Sequence, residues 1–129
     1  MGGETLDRIL YVEDEPDIQA VAKMALELVG GFTLCVCSSG QEALDRAAAF
    51  GPDLVLLDVM MPGMDGPSTL KALRAMPGFE AKPVVFMTAK AQPQEIRYFK
   101  DLGALDVITK PFDPMALPTT LKAIWDGRG

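Results

Sequence analysis

The order of segments in this chain predicts an α/β fold: a five-stranded parallel sheet, doubly wound, with helices on both faces. Three observations predict it. Short apolar runs alternate with segments of helical spacing five times along the 129 residues. The connections are short and punctuated by Gly and Pro. The run Leu54-Val-Leu-Leu-Asp58 is apolar at consecutive positions and is followed by Pro62-Gly63, as expected of a strand covered on both sides.

Arg8 to Val12 reads as the first strand, ending in Glu13-Asp14-Glu15. Pro16 suits the first position of a helix, where no N–H is needed and nearby acids are favourable. Ile18, Val21, Ala22, Ala25, Leu28 and Val29 follow at helical spacing, and Gly30-Gly31 stops that helix. Phe32 to Cys37 is the second strand. Ser39-Gly-Gln-Glu42 is a capping box for helix two, with Ala43, Leu44, Ala47 and Ala48 as its apolar stripe and Gly51-Pro52 as its end. The third strand runs from Leu54 to Asp58. Gly66-Pro67 opens helix three, Leu70 and Leu73 face inward, and Pro77-Gly78 closes it. Pro83 to Met87 is strand four, ending at Thr88. Helix four covers Gln92 to Leu102, with Ile96, Phe99 and Leu102 on one side, before Gly103. Asp106 to Thr109 is strand five, ending at Lys110-Pro111. Asp113-Pro114 caps helix five, which carries Leu117, Leu121 and Ile124. Pro118 predicts a kink or a late start there.

Composition narrows the function. The length suits one domain with one core over residues 1–129 and no output domain. A net charge of -6, with a pI of about 4.5 and no basic stripe, argues against direct nucleic-acid binding. No apolar run approaches the roughly 18–20 residues that cross a bilayer. Met1 to Asp7 lacks a basic segment leading into an apolar one, so no secretion signal is expected. Gly2 is no myristoylation site, because position 6 is Leu rather than Ser or Thr. A cytoplasmic location away from membranes is expected. Cys35 and Cys37 share one strand face and read as two reduced thiols packed as small hydrophobes.

In open parallel sheets, ligands bind outside the carboxyl ends of the strands. Here strand one ends in Glu13 and Asp14, strand three in Asp58, strand four in Thr88 and strand five in Lys110. Taken singly, each has an ordinary reading: helix-start acids, a turn residue, a strand end, a surface lysine. Together they gather three carboxylates, a hydroxyl and an ammonium at one edge. Clustered carboxylates repel unless a cation joins them. All-oxygen sites of this kind suit Mg²⁺, which takes one or two carboxylates plus phosphate oxygens. A carboxylate can also act as the nucleophile that accepts a phosphoryl group, and that transfer needs little besides positioning and positive charge. Asp58 is the expected acceptor, with Lys110 and Mg²⁺ supplying charge and Thr88 a neutral hydrogen bond.

Four motifs carry a resemblance: Val-Glu-Asp-Glu-Pro after strand one, Leu-Asp-Val-Met-Met-Pro-Gly-Met-Asp-Gly after strand three, Met-Thr-Ala after strand four and Lys-Pro-Phe after strand five. In this order, over about Arg8 to Trp125, the chain resembles a response-regulator receiver domain of two-component signalling, similar to the single-domain chemotaxis regulators. The resemblance implies a flavodoxin-like strand order 2-1-3-4-5. It implies that Asp58 is phosphorylated, that Asp14 and Asp58 ligate Mg²⁺ directly, that Glu13 reaches it through water and that Met60 offers its backbone carbonyl. It implies that Thr88 turns toward the phosphoryl group, that Ala89 leaves room for it, that Lys110 pairs with its oxygens and that the Lys110-Pro111 bond is cis. The implied partners are a sensor histidine kinase or phosphotransfer protein as donor and a protein target downstream. The chain would not be an enzyme beyond its own phosphorylation and dephosphorylation.

One position departs from the pattern. The family usually places Tyr or Phe three residues before the lysine, as an aromatic that swings inward on activation; here Val107 stands there. The usual coupling from Thr88 cannot operate, so the loop after strand four and helix four are expected to shift instead. Lys90, two after Thr88, either tunes access of water to the phosphoryl group or is a solvated helix-start lysine. Trp125 reads as a partner contact or a packed core edge. Two other classes stand beside the switch: a receiver-like module that binds partners without phosphorylation, motivated by Val107, and an aspartyl-nucleophile phosphatase. The latter resembles Asp-x-Asp-x-Thr at its nucleophile, whereas Val59 and Met60 follow Asp58 here, so its general acid is missing.

Overall fold

The computed structural model describes residues 5–128. Gly2 and the remainder of the extreme N-terminus, read above for acylation and export signals, lie outside the described residues. Five parallel strands, β1 (Arg8–Val12), β2 (Thr33–Cys37), β3 (Leu54–Asp58), β4 (Val84–Thr88) and β5 (Asp106–Thr109), form one sheet in the order β2-β1-β3-β4-β5. The predicted class and strand order are therefore both observed. The central strands β3 and β4 are buried at every position, as their unbroken apolar runs require. The edge strands β2 and β5 are only partly covered.

Five helices complete the alternation: α1 (Pro16–Met24), α2 (Gly40–Phe50), α3 (Gly66–Arg74), α4 (Pro93–Asp101) and α5 (Leu117–Asp126). Helices α1 and α5 cover one face, where Ala22, Leu26, Leu117, Leu121 and Trp125 pack on Ile9, Tyr11, Leu56, Val85 and Met87. Helices α2, α3 and α4 cover the other, where Ala43, Ala47, Leu70, Leu73 and Phe99 pack on Leu10, Val12, Val55, Leu57 and Phe86. Among the described residues no helix is long and apolar enough to cross a membrane.

Several boundaries differ from the sequence reading, each for a local reason. Strand β2 begins at Thr33 rather than Phe32, whose ring turns into the core. Asp65, not Gly66, caps α3: its carboxylate accepts from the Ser68 N–H at 2.8 Å, and Pro67 lies in the first turn. Asp113 closes only a turn, accepting from the Met115 N–H at 3.0 Å; the helix itself starts at Leu117, with Pro118 in its first turn. Of the two outcomes Pro118 allowed, the late start is the one realised. Helix α1 continues beyond Met24 as a π-helical segment, Ala25–Val29. That wider turn changes the angular spacing, so Ala25 and Leu26 are buried while Leu28 and Val29 are exposed, contrary to the 3.6-residue stripe; Val21, upstream of it, is exposed as well. Leu102 also lies outward, past the last turn of α4. Trp125 is a core residue at 6% exposure, with the Arg128 guanidinium stacked 3.5 Å from its ring centroid. Cys35 and Cys37 are both buried free thiols, and burial first of all pushes the Cys37 thiol up to about 12.

At the end of the sheet away from the strand C-termini, Arg74 joins three loop carbonyls. It donates to Phe79 at 3.1 Å and to Lys82 at 2.7 Å after α3, and to Gly103 at 3.1 Å after α4. At the opposite end, Gly66 lets α3 start directly against β3. A Cβ there would stand 2.7 Å from the Asp58 carbonyl oxygen and 2.8 Å from the Val59 Cα. Both neighbours are backbone and cannot swing away. Gly66→Ala is expected to lower unfolding free energy by about 1–3 kcal/mol, read by chemical denaturation; a loss under about 0.5 kcal/mol would mean that the loop has slack there.

Candidate functional site

The site is assembled by strand register. Parallel pairing sets Val12 beside Leu57 and Asp58 beside Met87, so the residues that follow β1 meet the end of β3. The pairing of Thr88 with Thr109 brings Lys110 up beside the end of β4. The Glu13 N–H donates to the Cys37 carbonyl and the Val59 N–H to the Met87 carbonyl, extending both ladders one residue into the site. The Lys110-Pro111 bond is cis, as the resemblance implied.

The sequence-predicted acids and lysine do converge. The Lys110 ammonium donates to Glu13 Oε1 at 3.0 Å and to Asp58 Oδ1 at 3.1 Å. Glu13 is wholly buried and Asp58 is 3% exposed. Glu13, Asp14 and Asp58 each present a carboxylate oxygen within 4.8 Å of the other two. Asp14 Oδ1 is buried and has no hydrogen-bond partner among the described residues. Thr88 is buried at the end of β4, and its hydroxyl accepts from the Lys90 N–H at 3.1 Å. Met60 lies on the following loop with an exposed side chain. Val107 is half-buried against the core on the α2–α4 face. Beside the cluster opens a groove of about 430 Å³, lined by Ile18, Val21, Ala89, Lys110, Pro111 and Phe112.

Two contributors were not singled out from sequence. The Gln19 amide donates to the Glu13 carbonyl and, at 3.1 Å, to Ser38 Oγ, tying α1 to the ends of β1 and β2. Its position one turn into α1 was the available signal. Tyr11 lies near the end of β1, two residues before Glu13, with a buried hydroxyl. Alternation along β1 could have flagged it.

The electrostatics are those of a charge-deficient pocket. Burial pushes the Glu13 carboxyl above the usual range; Lys110 offsets part of this, and the Asp58 charge adds to it. Burial likewise raises Asp58, opposed by Lys110 and reinforced by Asp14 and Glu15. For Lys110, burial works against the ammonium, but its bonds to Glu13 and Asp58 outweigh that and raise it. Three carboxylates face one ammonium, so full ionisation leaves a net charge of minus two. A hard divalent cation is the natural complement. The donors are all oxygen, they are close enough to share one ion, and one of them is buried without a partner.

Comparison with known proteins gives a consistent result. The family described as "Response regulator receiver domain" matches residues 9–122. The chain is 37% identical over 116 residues to the DNA-binding response regulator MtrA of Mycolicibacterium smegmatis, covering 90% of this chain and 49% of that protein. It is 38% identical over 117 residues to the alkaline phosphatase synthesis transcriptional regulatory protein PhoP of Bacillus subtilis, covering 91% and 48%. The chain thus spans about half the length of the curated relatives it matches. Among solved structures, the chemotaxis response regulator CheY4 of Vibrio cholerae superposes with a TM-score of 0.85 at 29% identity, over 93% of this chain and 99% of that one. The signal receiver domain of a histidine kinase from Syntrophus aciditrophicus gives 0.79 at 32%, over 94% and 91%.

The raised carboxyls fix a pH dependence. A group whose folded pKa is raised stabilises the fold below its unfolded pKa and loses that contribution as pH rises through the folded pKa. At neutral pH, ionised Asp58 therefore destabilises the metal-free fold. Asp58→Asn in EDTA is expected to raise Tm at about pH 7 by roughly 2–6 °C. The gain should shrink toward zero as pH falls through the raised Asp58 pKa. Thermal melts followed by circular dichroism across that range check it, and a gain that grows on acidification would contradict the charge-deficient pocket.

Proposed function

The chain belongs to the response regulator receiver domain family, and from that premise we propose that it is a phosphoacceptor switch in which Asp58 takes a phosphoryl group from a phosphohistidine. The donor would be a sensor histidine kinase or a phosphotransfer protein. The observation that carries the reading is the Lys110 ammonium 3.1 Å from Asp58 and 3.0 Å from Glu13, beside the unpartnered buried oxygen of Asp14.

Each residue then has a task. The Asp58 carboxylate oxygen attacks phosphorus; the new P–O bond forms as the P–N bond to the donor imidazole breaks, and the imidazole nitrogen takes up a proton. Lys110 turns its ammonium onto the phosphoryl oxygens. Thr88, freed from the Lys90 N–H, gives a neutral hydrogen bond. Ala89 leaves space for the incoming group. Asp14 and Asp58 would hold Mg²⁺ directly, Glu13 through water and Met60 through its carbonyl. When bound, the ion supplies charge neutralisation on the phosphoryl oxygens. The groove lined by Ile18, Val21, Pro111 and Phe112 leads directly to Lys110 and offers an apolar landing surface to the donor. The domain catalyses nothing beyond its own phosphorylation and dephosphorylation. We place it in the cytoplasm.

The readout we propose is a changed protein–protein contact on the side of α4, β5 and α5. The net charge of -6 disfavours a direct contact of this domain with DNA. With Val107 in place of the usual aromatic, the shift runs through the β4–α4 loop and α4. Val107 also favours a second reading, a module recognised by its partners without phosphorylation.

Incubation with Mg²⁺ and a small acyl-phosphate donor should add one phosphoryl mass to the intact protein, and Asp58→Asn should abolish it. No Mg²⁺-dependent adduct on the wild type sinks the switch. Lys110→Ala is expected to slow adduct formation roughly 10-fold or more. Amide exchange along α4 should change with a phosphoryl mimic; an unchanged pattern would favour the phosphorylation-independent module.

A further inference from the structure

Tyr11 carries a buried hydroxyl that the proposed switch does not use. It sits in the middle of β1 between Val36 of β2 and Leu56 of β3, with no exposed surface, packed among Ile9, Ala22, Leu26 and Met87. A phenylalanine would fill the same space without penalty. The Tyr11 hydroxyl is buried and has no hydrogen-bond partner among the described residues. A buried donor left unpaired costs stability, so its retention needs a reason.

Its surroundings supply one. Side chains two apart along extended backbone share a face; Glu13 directly follows β1 and continues its ladder through the Cys37 carbonyl, so it succeeds Tyr11 on the side of the sheet that α1 covers. A phenol is a protonated donor at neutral pH, and this one lies close enough to Glu13 and Asp58 for their charges to act on it. The acceptor is nearby and about to lose a partner. Glu13 Oε1 accepts from Lys110 at 3.0 Å and Oε2 from the Glu15 N–H at 3.2 Å. Phosphorylation of Asp58 draws Lys110 onto the phosphoryl oxygens, which takes from the wholly buried Glu13 carboxylate the charged donor it has at rest.

We propose that Tyr11 is a positioning residue whose hydroxyl is held in reserve for Glu13: as Lys110 turns to the phosphoryl group, the Tyr11 O–H donates to the Glu13 carboxylate in its place. The hydrogen bond is absent in the resting arrangement and forms in the phosphorylated one, so it favours the product of transfer selectively. The acid is thereby kept oriented toward its neighbours Asp14 and Asp58. The proposal rests on the phosphoacceptor reading of Asp58.

The test is Tyr11→Phe, which removes one oxygen and keeps the packing. Melting in EDTA is expected at the wild-type Tm or above it, since an unpaired hydroxyl has gone. The rate of Mg²⁺-dependent adduct formation with acetyl phosphate is expected to fall roughly 3–10-fold, the worth of one hydrogen bond. A residue that only packs the core would not separate the two readouts in this direction. Glu13→Gln supplies the second comparison: in that background Tyr11→Phe should change the rate less than 2-fold, because the acceptor it serves has lost its charge. A wild-type adduct rate retained in Tyr11→Phe overturns the reserve role and leaves the switch standing. So does an equal effect with and without Glu13→Gln, or a lowered Tm in EDTA, which would mean that the hydroxyl is already bonded at rest. Absence of adduct on the wild type removes the switch and this proposal together.

Discussion

The two hydrogen bonds of the Lys110 ammonium are the constraint that the upper edge of the sheet is built around. They hold a carboxylate with no exposed surface and another at 3% exposure in one place, although burial opposes the charge on each. Lys110 reaches them because β5 pairs with β4 in a register that carries Thr109 up to Thr88. The central position of β3 is the other half of the constraint. It sets Asp58 between the strand that brings Glu13 and Asp14 and the strand that brings Thr88.

This arrangement is deliberately incomplete. One ammonium cannot neutralise three carboxylates, and Asp14 keeps a buried oxygen that nothing among the described residues satisfies. A sequence selected for stability alone would remove one of these acids. Keeping all three leaves an unfavourable interaction that a dication would relieve. Binding energy at this edge is thus already set aside in the fold. The same logic extends one layer deeper, to the buried hydroxyl of Tyr11.

Much of this was legible in the residues. The apolar runs of β3 and β4 are continuous because both faces are covered, which identified a parallel sheet without any pairing information. The strand-end acids and Lys110 were readable because a parallel sheet puts all strand C-termini on one edge. The parts that stayed hidden depend on geometry finer than periodicity. The π-helical end of α1 rotated Leu28 and Val29 out of the expected stripe, since a 3.6-residue repeat does not survive an inserted wide turn. Asp65 and Gly66 were one residue apart as rival caps, and only the hydrogen bond to Ser68 decides. Trp125 offered two readings because aromatic residues serve interfaces and cores alike; its burial against α1 and the sheet assigns it to the core. The contact between Lys110 and Glu13 spans 97 residues of chain, and no local pattern encodes its distance.

Arg74 lies at the far end of the sheet from all of this, yet it governs how motion at the site is distributed. By holding the carbonyls of Phe79, Lys82 and Gly103, one guanidinium clamps the entry to β4 and the exit from α4 to the base of α3. The exit of α4 is thereby fixed while its N-terminal end, next to the Thr88 loop, carries no comparable anchor among the described hydrogen bonds. A helix held at one end behaves as a lever with its fulcrum at that end. Displacements that begin at the β4–α4 loop are then largest at the tip of α4 and fade toward Gly103, so the domain can swing one helix end while its base keeps its shape.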